Sequence, residues 1–115
     1  MADLLVDTDI LVDHLRTGSG FEPGDSQVWY SVVTRAELFA GRASDEGIVE
    51  RLLEALLELP VDRSVAQLGG QVRREAGLAL PDALIAATAL RHGLTLLTRN
   101  QRHFERVADL KLSSS

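Results

Sequence analysis

At 115 residues, with 45% hydrophobic and 25% charged residues, the chain has the composition of an ordinary soluble globular protein. Its length suits a single domain spanning 1–115 with one core. It has no cysteine, which excludes a disulfide framework and a thiolate zinc site, and no apolar run near the roughly 20 residues that span a bilayer. A net charge of −5 argues against sequence-blind binding of nucleic acid on a broad basic face. It leaves room for a nuclease, whose metal-binding acids themselves add negative charge. Lys111 is the only lysine, so the positive charge is carried by Arg, the side chain suited to forked phosphate contacts. Asp3 stands where a secretory signal would carry Lys or Arg, so the expected location is the cytoplasm.

Leu4 to Val6 is a short apolar run, as expected of a strand buried on both faces. It stops at Asp7, after which Ile10, Leu11, His14 and Leu15 recur at helical spacing. Residues 17–25, with Gly18, Gly20, Pro23 and Gly24, read as a loop. Val28 to Val33 reads as a second strand, and Thr34-Arg35-Ala36-Glu37 opens a helix. Small and charged residues at 43–47 precede a Leu-rich helix expected over Ile48–Leu59. Pro60-Val61-Asp62 is a brief extended piece. Ser64, with Gln67 as capping-box partner, starts a helix to about Ala76, weakened in its middle by Gly69-Gly70. After Gly77 and a loop at Leu78–Leu80, Pro81 opens a helix over Asp82–His92 that Gly93 closes. Leu94 to Thr98 is a further strand, Asn100 to Arg106 a polar turn or short helix, and Leu110 to Leu112 an edge strand before a frayed Ser113–Ser115 tail. Strands alternating with helices predict an α/β protein with a parallel sheet covered on both faces.

In such sheets ligands collect at the carboxyl ends of the strands. The acids expected there are Asp7, Asp9, Glu37 and Asp82, with Thr98 and Asn100 just past the strand at 94–98. Each has a structural explanation as well. Asp7, Thr8 or Asp9 is a good helix cap, Glu37 completes a capping box with Thr34, and Asp82 complements a helix dipole. Together they carry more weight, because carboxylates gathered at one edge repel one another unless a cation neutralises them. A set of hard oxygens without thiolate points to Mg²⁺ or Mn²⁺.

The segments Leu5-Val6-Asp7-Thr8-Asp9-Ile10-Leu11, Val33-Thr34-Arg35-Ala36-Glu37-Leu38, Asp82-Ala83-Leu84-Ile85-Ala86-Ala87-Thr88-Ala89 and Leu97-Thr98-Arg99-Asn100, with His103-Phe104, stand in one order along the chain. Jointly they resemble PIN-domain proteins of the VapC toxin type, over almost the whole chain. The resemblance implies a three-layer α/β/α fold with a mostly parallel sheet of four to five strands. It implies a Mg²⁺- or Mn²⁺-dependent ribonuclease, a homodimer, and silencing by a VapB-type antitoxin. Asp7, Glu37 and Asp82 match the family's catalytic, metal-binding acids, and Thr8, Asp9, Thr98 and Asn100 its supporting positions. Where the family often places a fourth acid before the Phe, this chain has His103. His103 or Asn100 is then the candidate for a further ligand.

The implied reaction is metal-assisted hydrolysis of a phosphodiester, which needs no protein nucleophile. Arg16, Arg73, Arg74, Arg99 and Arg102 are candidates for gripping RNA; the plainer reading of each is a solvated helix face. Asp7-Thr8-Asp9 also fits an Asp-x-Asp phosphatase in which Asp7 attacks phosphorus, although the usual Gly-Thr after that motif is missing. A third reading is a catalytically impaired PIN-like binding module. An acidic pocket is also a receptor for an antitoxin arginine. The helices at 48–59 and from Thr34 are the expected walls for the antitoxin's apolar residues, unless the domain's own core takes them up.

Overall fold

The short apolar runs pair into one sheet. The structure, a computed structural model, describes residues 3–18, 21, 27–41 and 45–114. Strands β1 (Leu4–Val6), β2 (Val28–Ser31), β3 (Leu57–Leu59), β4 (Thr95–Leu97) and β5 (Leu112–Ser113) lie in the order β3-β2-β1-β4-β5, with every pair parallel. Parallel neighbours need crossovers, which helices supply. These are α1 (Thr8–Thr17), α2 (Val32–Phe39), α3 (Glu46–Glu54), α4 (Arg63–Ala76), α5 (Leu80–His92) and α6 (Gln101–Phe104). The chain runs from β1 outward to β2 and β3, then crosses back to β4 on the other side of β1. That reversal places a crevice at the carboxyl ends of β1 and β4.

The pleat divides the core. Leu5 and Leu96 face one cluster with Val72, Ala76, Ala83, Ile85, Ala86 and Ala89 of α4 and α5. Val6 and Leu97 face the other, with Ile10, Leu11, Leu38, Val49 and Leu53 of α1, α2 and α3. A central sheet buried between two helical layers is the α/β/α architecture expected, with an all-parallel sheet. The alanines of α5 let it lie close to the sheet, and Gly69 does the same for α4. A Cβ on Gly69 would stand 2.5 Å from Leu84 Cδ2, so this glycine, expected to weaken α4, is what permits the α4–α5 approach. No described helix is long and apolar enough to cross a membrane.

Several boundaries differ from expectation. β2 stops at Ser31, whose side chain accepts the Val33 N–H and caps α2, so Val32 and Val33 are helical. Their β-branched character suggested strand, but the cap decides. The Leu-rich stretch to Leu59 is not one helix: α3 ends at Glu54 and Leu57–Leu59 is the edge strand β3 beside β2. Leucine spacing alone does not reveal that β2 needs a partner there. The cap of α4 is Asp62, which accepts the Val65 N–H, rather than Ser64. Ser113, expected in a frayed tail, sits in β5 opposite Leu97. Most of the loop expected at 17–25, and part of the break at 43–47, lies outside the described residues.

Candidate active site

β1 delivers Asp7 to the crevice, where the Asp7 N–H still donates to the Leu97 carbonyl. The residue then leaves the strand at φ −74°, ψ 152° as the N-cap of α1. One carboxylate oxygen accepts the Thr8 N–H at 2.8 Å and the other accepts the Thr98 hydroxyl at 2.8 Å. Asp7 is only 5% exposed. Capping and site-forming are therefore not rivals at this position. Burial pushes its carboxyl up to about 7; the charges of Asp9 and Asp82 push the same way, while the Thr98 and Thr8 bonds pull back. Asp9, on the first turn of α1, is also raised, chiefly by burial, and its Oδ1 is buried with no hydrogen-bond partner.

Thr8 ties α1 to α2. Its hydroxyl donates to Glu37 Oε1 at 2.7 Å and lies 2.8 Å from the Thr34 hydroxyl. With its single proton committed to Glu37, Thr8 accepts from Thr34. The capping-box explanation of Glu37 fails, because Ser31 caps α2 and Thr34 is already inside the helix. Asp82 lies in the first turn of α5, and its Oδ2 is 3.0 Å from His103 Nε2 on α6. Thr98 is fully buried and accepts the Asn100 N–H at 3.0 Å, which fixes the turn after β4.

These residues share one pocket of about 470 Å³, lined by Asp7, Thr8, Asp9, Glu37, Asp82, Asn100 and His103 among others. Of the arginines suggested by the sequence, Arg16 and Arg99 line it as well, and Arg102 lines a neighbouring depression with Asn100 and His103. Arg73 and Arg74 do not. Arg73 donates to the Leu78 carbonyl at 2.7 Å, and Arg74 lies on α4 beside Glu75. Sequence reasoning missed Thr34, which resembled a helix opener, and Asp13, one turn beyond Asp9 on α1. Only the i, i+4 spacing from Asp9 hinted at Asp13.

The donors fit a hard divalent cation in kind: they are carboxylate oxygens, two of the acids are held above their ordinary range, and one buried oxygen of Asp9 has no partner. Among the described residues, no three acidic or histidine side chains are yet gathered as a ligand set. Three of the acids instead turn to donors of their own: Asp7 to Thr98 and the Thr8 amide, Glu37 to Thr8, Asp82 to His103. A larger depression of about 550 Å³ beside the start of α4 lacks this chemistry, since Asp62 there is spent on capping and Arg91 on Ser64.

Comparison with known proteins agrees with this arrangement. The PIN domain family matches residues 4–110. Ribonuclease VapC19 of Mycobacterium tuberculosis is 35% identical over 124 aligned residues, which cover 93% of this chain and 96% of that protein. A toxin-antitoxin complex from Klebsiella pneumoniae contains a chain 28% identical, with a TM-score of 0.79 and 96% of each chain covered. DNA-bound VapBC from Salmonella typhimurium contains one with a TM-score of 0.86 at 25% identity, covering 99% of this chain and 98% of that one. The chain belongs to the PIN-domain family, in its VapC-type branch.

Proposed function

We propose that this protein is a ribonuclease toxin that hydrolyses RNA phosphodiester bonds with Mg²⁺ or Mn²⁺ held by Asp7, Glu37 and Asp82, and that a VapB-type antitoxin silences it. The observation that carries the reading is Asp7, buried at a strand end with its carboxyl pushed up to about 7 in a pocket shared with Glu37 and Asp82. When bound, a divalent cation would supply positive charge to the reacting phosphate and acidify water for attack. The chain's own part is to hold the carboxylates. Thr8 orients Glu37, Thr98 orients Asp7, and His103 orients Asp82. The phosphatase reading is weaker, because both Asp7 oxygens are engaged and the residue is buried, which suits a ligand better than an attacking nucleophile.

The relatives' toxin-antitoxin assemblies support the partner. So does an apolar groove of about 370 Å³ lined by Val12 and Leu15 of α1, Leu38 of α2, and Ile48 and Val49 of α3. It runs into the acidic pocket through Val12, Arg16 and Glu37. The walls differ from those expected from sequence: α1 contributes, and 57–59 does not. α3 spends Val49 and Leu53 on the core but leaves Ile48 46% exposed. An antitoxin arginine entering the pocket would compete with metal, so rising Mn²⁺ should weaken the complex. The same reading pairs two copies of the chain, to be checked by light scattering. The test of activity is incubation of the purified protein with total RNA and Mg²⁺ or Mn²⁺, followed by mapping of new 5′ ends. Cleavage that stops with chelator and is absent from Asp7→Asn supports the proposal. No metal-dependent cleavage of any RNA refutes it.

A further inference from the structure

The acids of the pocket face a small group of cations with its own organisation. Asp13, one turn beyond Asp9 on α1, has a single oxygen, Oδ1, that takes two guanidiniums. Arg16 Nη2 of the same helix lies 2.9 Å away, and Arg99 Nη1, from the segment after β4, lies 2.9 Å away. All three residues line the pocket of Asp7, Glu37 and Asp82, and among the described residues Arg16 and Arg99 are the only arginines in that lining. The side chains of Arg16 and Arg99 are 72% and 54% exposed, against 29% for Asp13. So the carboxylate is the sheltered member and the guanidiniums point outward.

We propose that Asp13 is a positioning residue that holds Arg16 and Arg99 as a paired clamp for a backbone phosphate of the RNA strand entering the pocket. The proposal rests on the RNA-cleaving reading above. Two guanidiniums near one another repel, and a shared carboxylate relieves that repulsion while fixing where both point. Each guanidinium reaches Asp13 through one nitrogen, and a guanidinium carries five N–H donors, enough for a bidentate phosphate contact besides. The group of three keeps a formal charge of +1 beside acids that would otherwise turn a polyanion away. A fold-stabilising role explains it less well, since exposed ion pairs contribute little to stability.

The clamp and simple electrostatics predict opposite signs. Removing a negative charge at the RNA path would by Coulomb attraction alone tighten binding; if Asp13 orients the clamp, removing it loosens binding. The experiment measures single-stranded RNA binding by fluorescence anisotropy in chelator, with KM and kcat for cleavage in Mn²⁺ as the second readout. For Asp13→Asn we expect binding about three- to tenfold weaker, with the change in KM rather than kcat. In an Arg16→Gln/Arg99→Gln background the same substitution should cost nothing further, a non-additivity that loss of α1 stability would not produce. Asp13→Glu, which keeps the carboxylate, should recover part of the loss. RNA bound equally or more tightly by Asp13→Asn, or full additivity in the triple variant, overturns the clamp while leaving cleavage standing. RNA bound but never cut by the wild type defeats the ribonuclease reading, and binding alone then decides the clamp: weaker binding by Asp13→Asn supports it, and unchanged or tighter binding overturns it. No RNA binding by the wild type overturns the clamp.

Discussion

α2 carries one residue into each of two charged clusters, and the two are built on opposite logic. Arg35 donates to Glu58 at 2.6 Å, Glu50 at 2.9 Å and the Tyr30 hydroxyl at 3.0 Å, drawing α3, β3 and β2 together. Its hydrogen bonds to Glu58, Glu50 and Tyr30 raise its own affinity for its proton, and its bond to Glu58 holds that carboxyl below its usual range. Every charge there has an opposite within reach. Two residues further along α2, Glu37 enters a pocket where Asp7 and Asp9 are both held above theirs, burial being the main cause. The first cluster is satisfied by the chain itself. The second has a deficit that a cation from outside would fill.

The comparison breaks most sharply by exchanging a charge for its neutral isostere on each side. Asp7→Asn should lower metal-dependent RNA cleavage by at least about 100-fold while leaving the protein folded. Glu37→Gln should lower it by at least about tenfold with stability kept, because the Gln carbonyl still accepts the Thr8 hydroxyl. Arg35→Gln should do the reverse: roughly 1–2 kcal/mol of stability lost in denaturant unfolding, and cleavage per folded molecule nearly unchanged. Retained cleavage in either acid variant, or its collapse in Arg35→Gln with stability intact, would undo the contrast.

pH sharpens it. The Asp7 carboxyl rises from 3.8 to about 7 in the folded state, so between those values the folded protein binds more protons than the unfolded chain. This group therefore contributes stability to the metal-free protein that is fully present below about pH 4 and lost as pH rises through about 7, up to roughly 4 kcal/mol, while Glu58, held low, acts the other way. Asp9 acts in the same direction as Asp7. In thermal unfolding with chelator, Asp7→Asn should flatten that decline and be the more stable protein at pH 8. A stability difference between wild type and Asp7→Asn that does not fall over this range contradicts the assignment. The smallest expected effect is at His103: His103→Asp, which restores the acid the family often has there, should make Mn²⁺ binding about tenfold tighter by calorimetry, and no change would place His103 outside the coordination sphere.

How much of this was legible in the sequence depended on what set each feature. The strand-turn-acid pattern at Leu4–Asp7 and the Pro81 and Gly93 boundaries of α5 follow from local chemistry, so they read correctly. Val32 and Val33 did not, because a Ser31 cap outweighs the strand preference of two β-branched residues. Leu57–Leu59 became a strand through pairing with β2, which sits far away in sequence. Asp7 was nameable from its place at a strand end, and Asp9 and Asp82 from their places at helix starts; Glu37, deep in α2, stood out through the family resemblance. Their partners were not nameable: Thr8 with Glu37, His103 with Asp82, and Arg99 with Asp13 meet only through the sheet order.

If Asp7, Glu37 and Asp82 hold a divalent cation, RNA cleavage depends on that cation and on the charge of Asp7. The most direct measurement is the rate of RNA cleavage against Mn²⁺ concentration for wild type and Asp7→Asn, side by side after chelator treatment. The account predicts that wild-type cleavage is absent without metal and rises to saturation, and that Asp7→Asn stays near zero wherever the wild type is saturated. Equal curves for the two proteins, or wild-type cleavage that persists in chelator, would contradict it.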